Sequence, residues 1–256
     1  LSELKVTFLG TGTSMGVPVI GCTCEACTSS DVKDNRLRCS ILIQKNGSNF
    51  VIDSGPDFRY QMLRAKVTSL RALIFTHEHK DHTAGMDDVR AFNWIQREKV
   101  NIYATERVEK ALRNDFHYAF ADIKYPGVPE LEIHNITKQP FRIDDVDFIP
   151  VEVMHHKLRV LGFRIDDFVY ITDVNHIPEE EMKKLKGCDT LVLSALRQTT
   201  HISHFSLEQA VELIQRVKPR KGYLTHISHQ MGRHKDVSTA LPDNVEIAYD
   251  GLELTW

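Results

Sequence analysis

The chain has 256 residues, 42% hydrophobic and 26% charged, with 32 basic against 35 acidic side chains and a net charge of −3. That balance excludes a disordered, collagen-like or coiled-coil chain, and the near-neutral total leaves no overall electrostatic footprint for a long polyanion. No apolar run reaches the roughly 18 residues a membrane-spanning helix requires, and the length fits one large domain or two small ones.

The segment from Leu1 shows no charged region followed by an apolar one, so no secretory leader is expected there. Runs rich in β-branched and apolar residues predict strands at Lys5–Leu9, Ser40–Gln44, Phe50–Ile52 and Ala72–Phe75. Helical periodicity marks Val89–Gln96 and Arg107–Ala121, with a strand at Asn101–Ala104 between them. Short strands follow at Leu131–Ile133, Val146–Ile149, Val151–Met154, Gly162–Ile165 and Phe168–Ile171. A helix near Pro178–Lys186, the strand Thr190–Ser194 and the helix Leu207–Val217 come next, then strands at Tyr223–Thr225, Glu246–Ala248 and Leu252–Leu254. Ser206 and Gln209 form a capping box for the Leu207 helix, with Phe205 and Ala210 as its hydrophobic staple. Many strands with helices but no strict βαβ rhythm predict mixed sheets covered by helices.

The histidines, 13 in all, carry the chemistry. Thr76 to His82 reads T-H-E-H-K-D-H directly after an apolar strand. His77 and His79 can face one metal while Asp81 and His82 face a second, and imidazole with carboxylate suits Zn, Mn or Fe. The rival H-E-x-x-H pattern fails, because Asp81 stands where the second histidine would be. His155, Asp173 and His226 each follow a predicted strand, where loops gather functional groups on a rigid scaffold. Cys22, Cys24 and Cys27 supply three thiolates, one short of a closed tetrahedral zinc site. Thiols so closely spaced, in an odd total of five, point to reduced ligands and a cytoplasmic setting, with Cys39 and Cys188 read as core. Gly10-x-Gly12 is not a dinucleotide fingerprint, since Met15 occupies the position of the third glycine. His117, His134 and His176 carry weaker claims.

The H-x-H-x-D-H string with later His, Asp and His at strand ends resembles the metallo-β-lactamase-fold hydrolases. Gly10 to Pro18, the cysteine cluster and Leu224-Thr225-His226-Ile227-Ser228-His229-Gln230 resemble the PhnP-type phosphodiesterases of phosphonate metabolism, which act on phosphoribosyl cyclic phosphate. The resemblance runs from Phe8 to Gly251. It implies an α/β (α+β) fold, a four-layer αββα sandwich of two mixed β-sheets flanked by helices, in a single domain over residues 1–256. It implies that His77, His79 and His155 bind one metal, that Asp81, His82 and His226 bind the other, and that Asp173 bridges them. At His155-His156 the first residue is read as the ligand, because His155-His156-Lys157-Leu158 looks like the family pattern. His204 matches the family's non-ligand histidine acting as general acid, and Asp53 its supporting aspartate, which orients a ligand. His229 becomes the fourth ligand of a structural zinc with Cys22, Cys24 and Cys27.

Two divalent metals, Zn or Mn, and one structural Zn are therefore expected, with Asp81 and His204 in catalytic roles. His201, Ser203, Lys157 and His234 are candidate substrate contacts. The expected reaction is hydrolysis of a small, cyclic phosphodiester such as phosphoribosyl 1,2-cyclic phosphate, in a homodimer by family habit, with no membrane or long nucleic acid as partner. The alternatives are a tRNA 3′-processing-type endonuclease, a pyrroloquinoline quinone biosynthesis-type protein, and a non-catalytic zinc-binding module. No Gly-rich basic arm for tRNA is evident, secreted β-lactamases usually carry Cys at the place of Asp173, and the complete ligand set argues against a module without activity.

Overall fold

The structure, a computed structural model, describes residues 3–256, so the reading of the chain's start at Leu1 and Ser2 lies outside it. The chain folds as two compact units. The first comprises the residues up to Gly10, Ser40–Thr137 and Gly251–Trp256; the second comprises Thr11–Cys39 and Lys138–Asp250. No helix among the described residues is long and apolar enough to cross a membrane.

Among the described residues the first unit holds a seven-stranded mixed sheet. Its strands are β1 (Leu4–Gly10), β2 (Ser40–Lys45), β3 (Ser48–Ile52), β4 (Ala72–Ile74), β5 (Val100–Ala104) and β6 (Leu131–Asn135), in that order, with the C-terminal strand Glu253–Thr255 outside β1. The C-terminal strand, β1, β2 and β3 pair antiparallel, whereas β3 to β6 pair parallel. Helices α1 (Phe58–Arg64), α2 (Lys80–Thr83), α3 (Arg90–Gln96), α4 (Glu106–Asp115) and α5 (His117–Phe120) belong to this unit. Its core joins Leu73 and Ile102 of the sheet to Phe58, Met62, Phe92 and Leu112 of the helices, all buried.

The second unit repeats the half-antiparallel, half-parallel scheme without repeating the sequence. Its strands are β7 (Phe141–Ile143), β8 (Val146–His155), β9 (Leu158–Ile165), β10 (Phe168–Ile171), β11 (Thr190–Ser194), β12 (Lys221–Thr225) and β13 (Val245–Ile247), again seven among the described residues. Strands β7 to β10 pair antiparallel and β10 to β13 parallel. Helices α6 (Glu179–Met182), α7 (Leu207–Val217) and α8 (His234–Ser238) complete it. A core around Val153, Val169, Leu191, Ile214 and Leu224 holds α7 on the sheet. Gly222 of β12 is the contact point: a Cβ there would lie 2.6 Å from Ile214 Cγ2.

Several element boundaries differ from the sequence expectation. Val146–Ile149 and Val151–Met154 are one strand, β8, that runs through Pro150. Pro150 sits opposite Phe163 of β9, and its carbonyl accepts from Lys184 Nζ at 2.7 Å on the other side. Its missing N–H therefore falls on the side away from β9, beyond the last β7 pairing, where no ladder bond is lost. The helix expected over Arg107–Ala121 breaks at Phe116, whose φ of −116° and ψ of 39° are not helical. Helix α1, strand β7 and helix α8 were not anticipated, and Pro178–Lys186 is a short α6 followed by a 3₁₀ turn at Lys183–Leu185.

Candidate metal centre

In both units the ligand-type residues leave the carboxyl ends of strands, the edge where α/β sheets gather ligand-binding loops. In the first unit Asp53 follows β3, and His77, His79, Asp81 and His82 follow β4. In the second unit His155 ends β8, Asp173 follows β10, His204 lies in the loop after β11, and His226 follows β12. Asp53, Asp173 and His226 have φ of 66°, 50° and 57°. Left-handed backbone in such residues costs about 1–3 kcal/mol each, and here it turns the side chain as the strand ends.

The first unit builds its half around Asp53, which is fully buried. The Asp53 carboxylate accepts from Thr76 N at 2.9 Å, from Thr76 Oγ1 at 2.8 Å and from His82 Nδ1 at 2.7 Å. Burial pushes this carboxyl up, and the His82 ring and both Thr76 donors oppose the rise. The Thr76 hydroxyl has one proton, given to Asp53, so its oxygen accepts from His77 Nδ1 at 2.9 Å. Both rings are thus held with Nδ1 protonated, which leaves the Nε2 lone pairs of His77 and His82 for a cation. His82 Nε2 faces Asp81 Oδ2 at 3.2 Å. The His77 ring lies 4.5 Å from that of His79 and 4.3 Å from that of His82, centroid to centroid. Gly85 lets the turn after α2 lie against the loop that carries Asp53, because a Cβ there would clash with Gly55 O.

The second unit builds its half around Asp173. Strand alternation puts His155 on the face of Val151 and Val153, so it is buried, while His156 is exposed with φ of 56°. His155 Nδ1 donates to the Ser203 carbonyl at 2.7 Å. A carbonyl only accepts, so the lone pair sits on Nε2, which faces Asp173 Oδ1 at 4.0 Å. His226 Nε2 lies 3.3 Å from the same oxygen and His204 Nδ1 lies 3.9 Å from it. Thr172 Oγ1 donates to the other oxygen, Asp173 Oδ2, at 2.6 Å. Burial, and then His226, push the His204 imidazole down to about 3, with Asp173 opposing. Lone pairs and a carboxylate oxygen that converge in a buried place need a cation or a proton between them. The donor set therefore fits a divalent metal.

The cysteine cluster belongs wholly to the second unit. Cys22 Sγ and Cys24 Sγ lie 3.2 and 3.4 Å from His229 Nδ1, and one ligand atom from each of Cys22, Cys24, Cys27 and His229 falls within 4.8 Å of the others. Zinc with Zn–S of about 2.3 Å and Zn–N of about 2.0 Å spaces tetrahedral S and N ligands by about 3.5 Å, so the four residues fit that ion. A hydrogen bond from the backbone draws the Cys24 thiol down to about 6, and burial pushes Cys27 up to about 11. None of the five cysteines forms a disulfide. Ile227, next to His226, bridges to Gly12, and Thr13 N donates to Ile227 O at 3.0 Å. Gly12 and Thr13 thus brace the His226 loop.

Of the four candidate substrate contacts, His201 and Ser203 stand in the His204 loop, and Lys157 is exposed at the β8–β9 turn beside His155. His234 is engaged elsewhere: its Nδ1 accepts from Arg36 Nη2 at 3.2 Å and its ring meets Tyr249. Sequence reasoning overlooked Thr76 and Thr172, the hydroxyls that orient His77, Asp53 and Asp173. A signal was present, since a buried threonine immediately precedes His77, Asp173 and His226 alike.

The family profile described as "Beta-lactamase superfamily domain" matches residues 48–227, and the chain belongs to that superfamily and has the metallo-β-lactamase fold. A crystal structure described as a new diphosphatase from the PhnP family superposes with a TM-score of 0.94 at 38% identity, covering 99% of this chain and 97% of that one. Zn-bound PqqB of Methylobacterium extorquens superposes at 0.79 with 17% identity, covering 98% of this chain and 99% of that one, a likeness of fold. Among curated proteins, an octanoyltransferase of Porphyromonas gingivalis is 38% identical over 253 residues, which are 98% of this chain and 51% of that protein. A ribonuclease Z of Nostoc punctiforme is 24% identical over 166 residues, 63% of this chain and 46% of that protein. The chain spans about half the length of these two relatives.

Proposed function

We propose that the chain is a phosphodiesterase that hydrolyses a small phosphodiester, with phosphoribosyl 1,2-cyclic phosphate as the reference substrate. His77, His79 and His155 would hold one divalent metal, Asp81, His82 and His226 a second, with Asp173 shared, and Cys22, Cys24, Cys27 and His229 a structural zinc. Bound there, zinc or manganese would supply Lewis acidity toward the phosphoryl oxygens and make water nucleophilic near neutral pH. The observation that carries the reading is the forced tautomer of His155, whose Nδ1 bond to Ser203 turns its lone pair toward Asp173.

The protein's own residues then divide the work. Asp53 and Thr76 fix His82 and His77 in the metal-binding tautomer, and Thr172 takes one oxygen of Asp173 so that the other faces the histidines. His204, buried and 4.9 Å from the His226 ring, gives a proton to the leaving oxygen. An anionic phosphodiester against that ring offsets the burial that disfavours its charged form, so the ring takes up its proton from solvent water once the substrate is bound. Reduced cysteines suit a cytoplasmic setting, and a homodimer is the family habit. The 38% identical diphosphatase of the PhnP family favours a second reading on the same residues, cleavage of a diphosphate ester.

The test is turnover by the Mn- or Zn-loaded protein of bis(p-nitrophenyl) phosphate and a 2′,3′-cyclic nucleotide, beside a precursor tRNA. Cleavage of the small esters and an intact tRNA are expected. The His204→Ala variant should lose about 10²–10⁴-fold in kcat, as for removal of a general acid, with metal content unchanged. A fully loaded protein inert toward both small esters, or a His204→Ala variant as active as its parent, refutes the reading.

A further inference from the structure

The loop between β11 and α7 is held as a closed rigid unit. Leu196 N donates to Phe205 O at 3.0 Å and Leu207 N to Arg197 O at 2.9 Å, which join its two ends. The Arg197 guanidinium ties the loop to itself and to Gln230, donating to Thr199 O, Thr200 O and Gln230 Oε1 at 3.3, 2.9 and 3.0 Å. Its carbonyl and amide partners leave its positive charge unneutralised. The same loop presents His204 and, through the Ser203 carbonyl, orients His155.

His201 stands at the tip, half-buried, with its ring 5.3 Å from that of His204. Ser203 N donates to His201 Nδ1 at 3.3 Å, and Ser203 Oγ lies 3.2 Å from the same atom. A backbone N–H can only donate, so Nδ1 is an acceptor and the ring proton is on Nε2. A neutral imidazole N–H is therefore fixed beside the proposed proton donor, in the positive field of Arg197. Beside a reacting phosphorus, such a donor suits an anionic oxygen one phosphate further along the substrate. Ile202, 69% exposed, lies next to it in the chain and offers apolar surface to the group beyond.

We propose that His201 is a substrate-binding residue that selects diphosphate esters, its Nε2–H donating to a non-bridging oxygen of the second phosphate. This rests on the second reading of the phosphodiesterase site, cleavage of a diphosphate ester, and names the residue that selects that class. In the step, a water oxygen bonds to the attacked phosphorus and the P–O–P link breaks. The electron pair leaves on the bridging oxygen, and the two protons of water end one on each phosphomonoester product.

The test compares the metal-loaded parent with His201→Phe, which keeps a ring without the N–H, and His201→Gln, which restores an N–H donor. ADP-ribose is the diphosphate ester and bis(p-nitrophenyl) phosphate the ester with a single phosphorus. His201→Phe should raise KM for ADP-ribose about 10–100-fold, the worth of one hydrogen bond to a charged group, with kcat nearly kept. His201→Gln should recover part of the loss, and kcat/KM for bis(p-nitrophenyl) phosphate should not change in either variant. Equal losses on both substrates would make the residue merely structural and overturn the assignment, as would no loss on ADP-ribose. A parent that turns over bis(p-nitrophenyl) phosphate but not ADP-ribose overturns this inference and the diphosphate-ester reading but leaves the phosphodiesterase reading, whereas a loaded parent inert toward both overturns all three.

Discussion

A carboxylate as completely buried as Asp53 persists because three donors converge on it, and its role follows from them. One of those donors, His82 Nδ1, would lose an anionic acceptor in Asp53→Asn. The amide would also present N–H to the Thr76 hydroxyl, which already donates at that oxygen. With the tautomer of His82 no longer fixed, metal affinity should fall about 10–100-fold, the usual cost of losing a group that orients a ligand. Competition with a fluorescent chelator measures it, and an unchanged affinity would separate Asp53 from the metal. The ligands themselves were legible in the sequence because four donor side chains within six residues are rare outside metal sites. The threonines that orient them were not, because threonine is an ordinary strand residue and Thr76 acts only once β3 and β4 pair and bring Asp53 beside it.

At the scale of elements, the same pairing explains what a glycine does. Gly85 N donates to Ser54 O and Ser54 N to His82 O, both at 2.8 Å, so the turn after α2 lies flat on the loop that carries Asp53. In Gly85→Ala the new methyl meets Gly55 O, and the turn must lift away and carry His82 with it. Overpacking of this kind costs about 1–3 kcal/mol; a lower midpoint in urea and weaker metal binding should therefore appear together. Normal metal binding in a destabilised variant would show that the turn does not position His82. Helix α7 offers the parallel case, since Ser206 Oγ accepts from Gln209 N and Gln209 Oε1 accepts from Ser206 N. Ser206→Ala should cost about 0.5–2 kcal/mol in the same urea titration, and no change would deny the cap its part. That cap was readable from sequence because its signal is local. Helix α1 was not, since only Phe58, Gln61 and Met62 of its seven residues are buried and Asp57, though an N-cap residue type, makes no side-chain cap bond. Strand β7 is only three residues long and takes its form from pairing with β8.

For the molecule as a whole, a net charge of −3 hides local charge that the fold has to accommodate. Arg36 is a buried cation, and it donates to Thr11 Oγ1 at 2.8 Å, Ala248 O at 2.6 Å and His234 Nδ1 at 3.2 Å. Burial and the neighbouring Arg36 and Lys33 push His234 down to about 4, while Asp31 and Asp34 pull it up. An unfolded histidine titrates near about 6.5, so between these values the unfolded chain binds a proton that the folded chain refuses. Stability then rises with pH across that window, and His234 withdraws its contribution as pH falls from about 6.5 toward 4. His234→Asn keeps an acceptor for Arg36 but cannot take up the proton. Urea unfolding of the metal-loaded parent and of this variant at pH 7.5 and pH 5 separates the effect from other acid-labile groups, which the two proteins share. The parent should lose more stability than the variant on acidification; parallel losses would mean that the Arg36–His234 contact does not govern the acid limb.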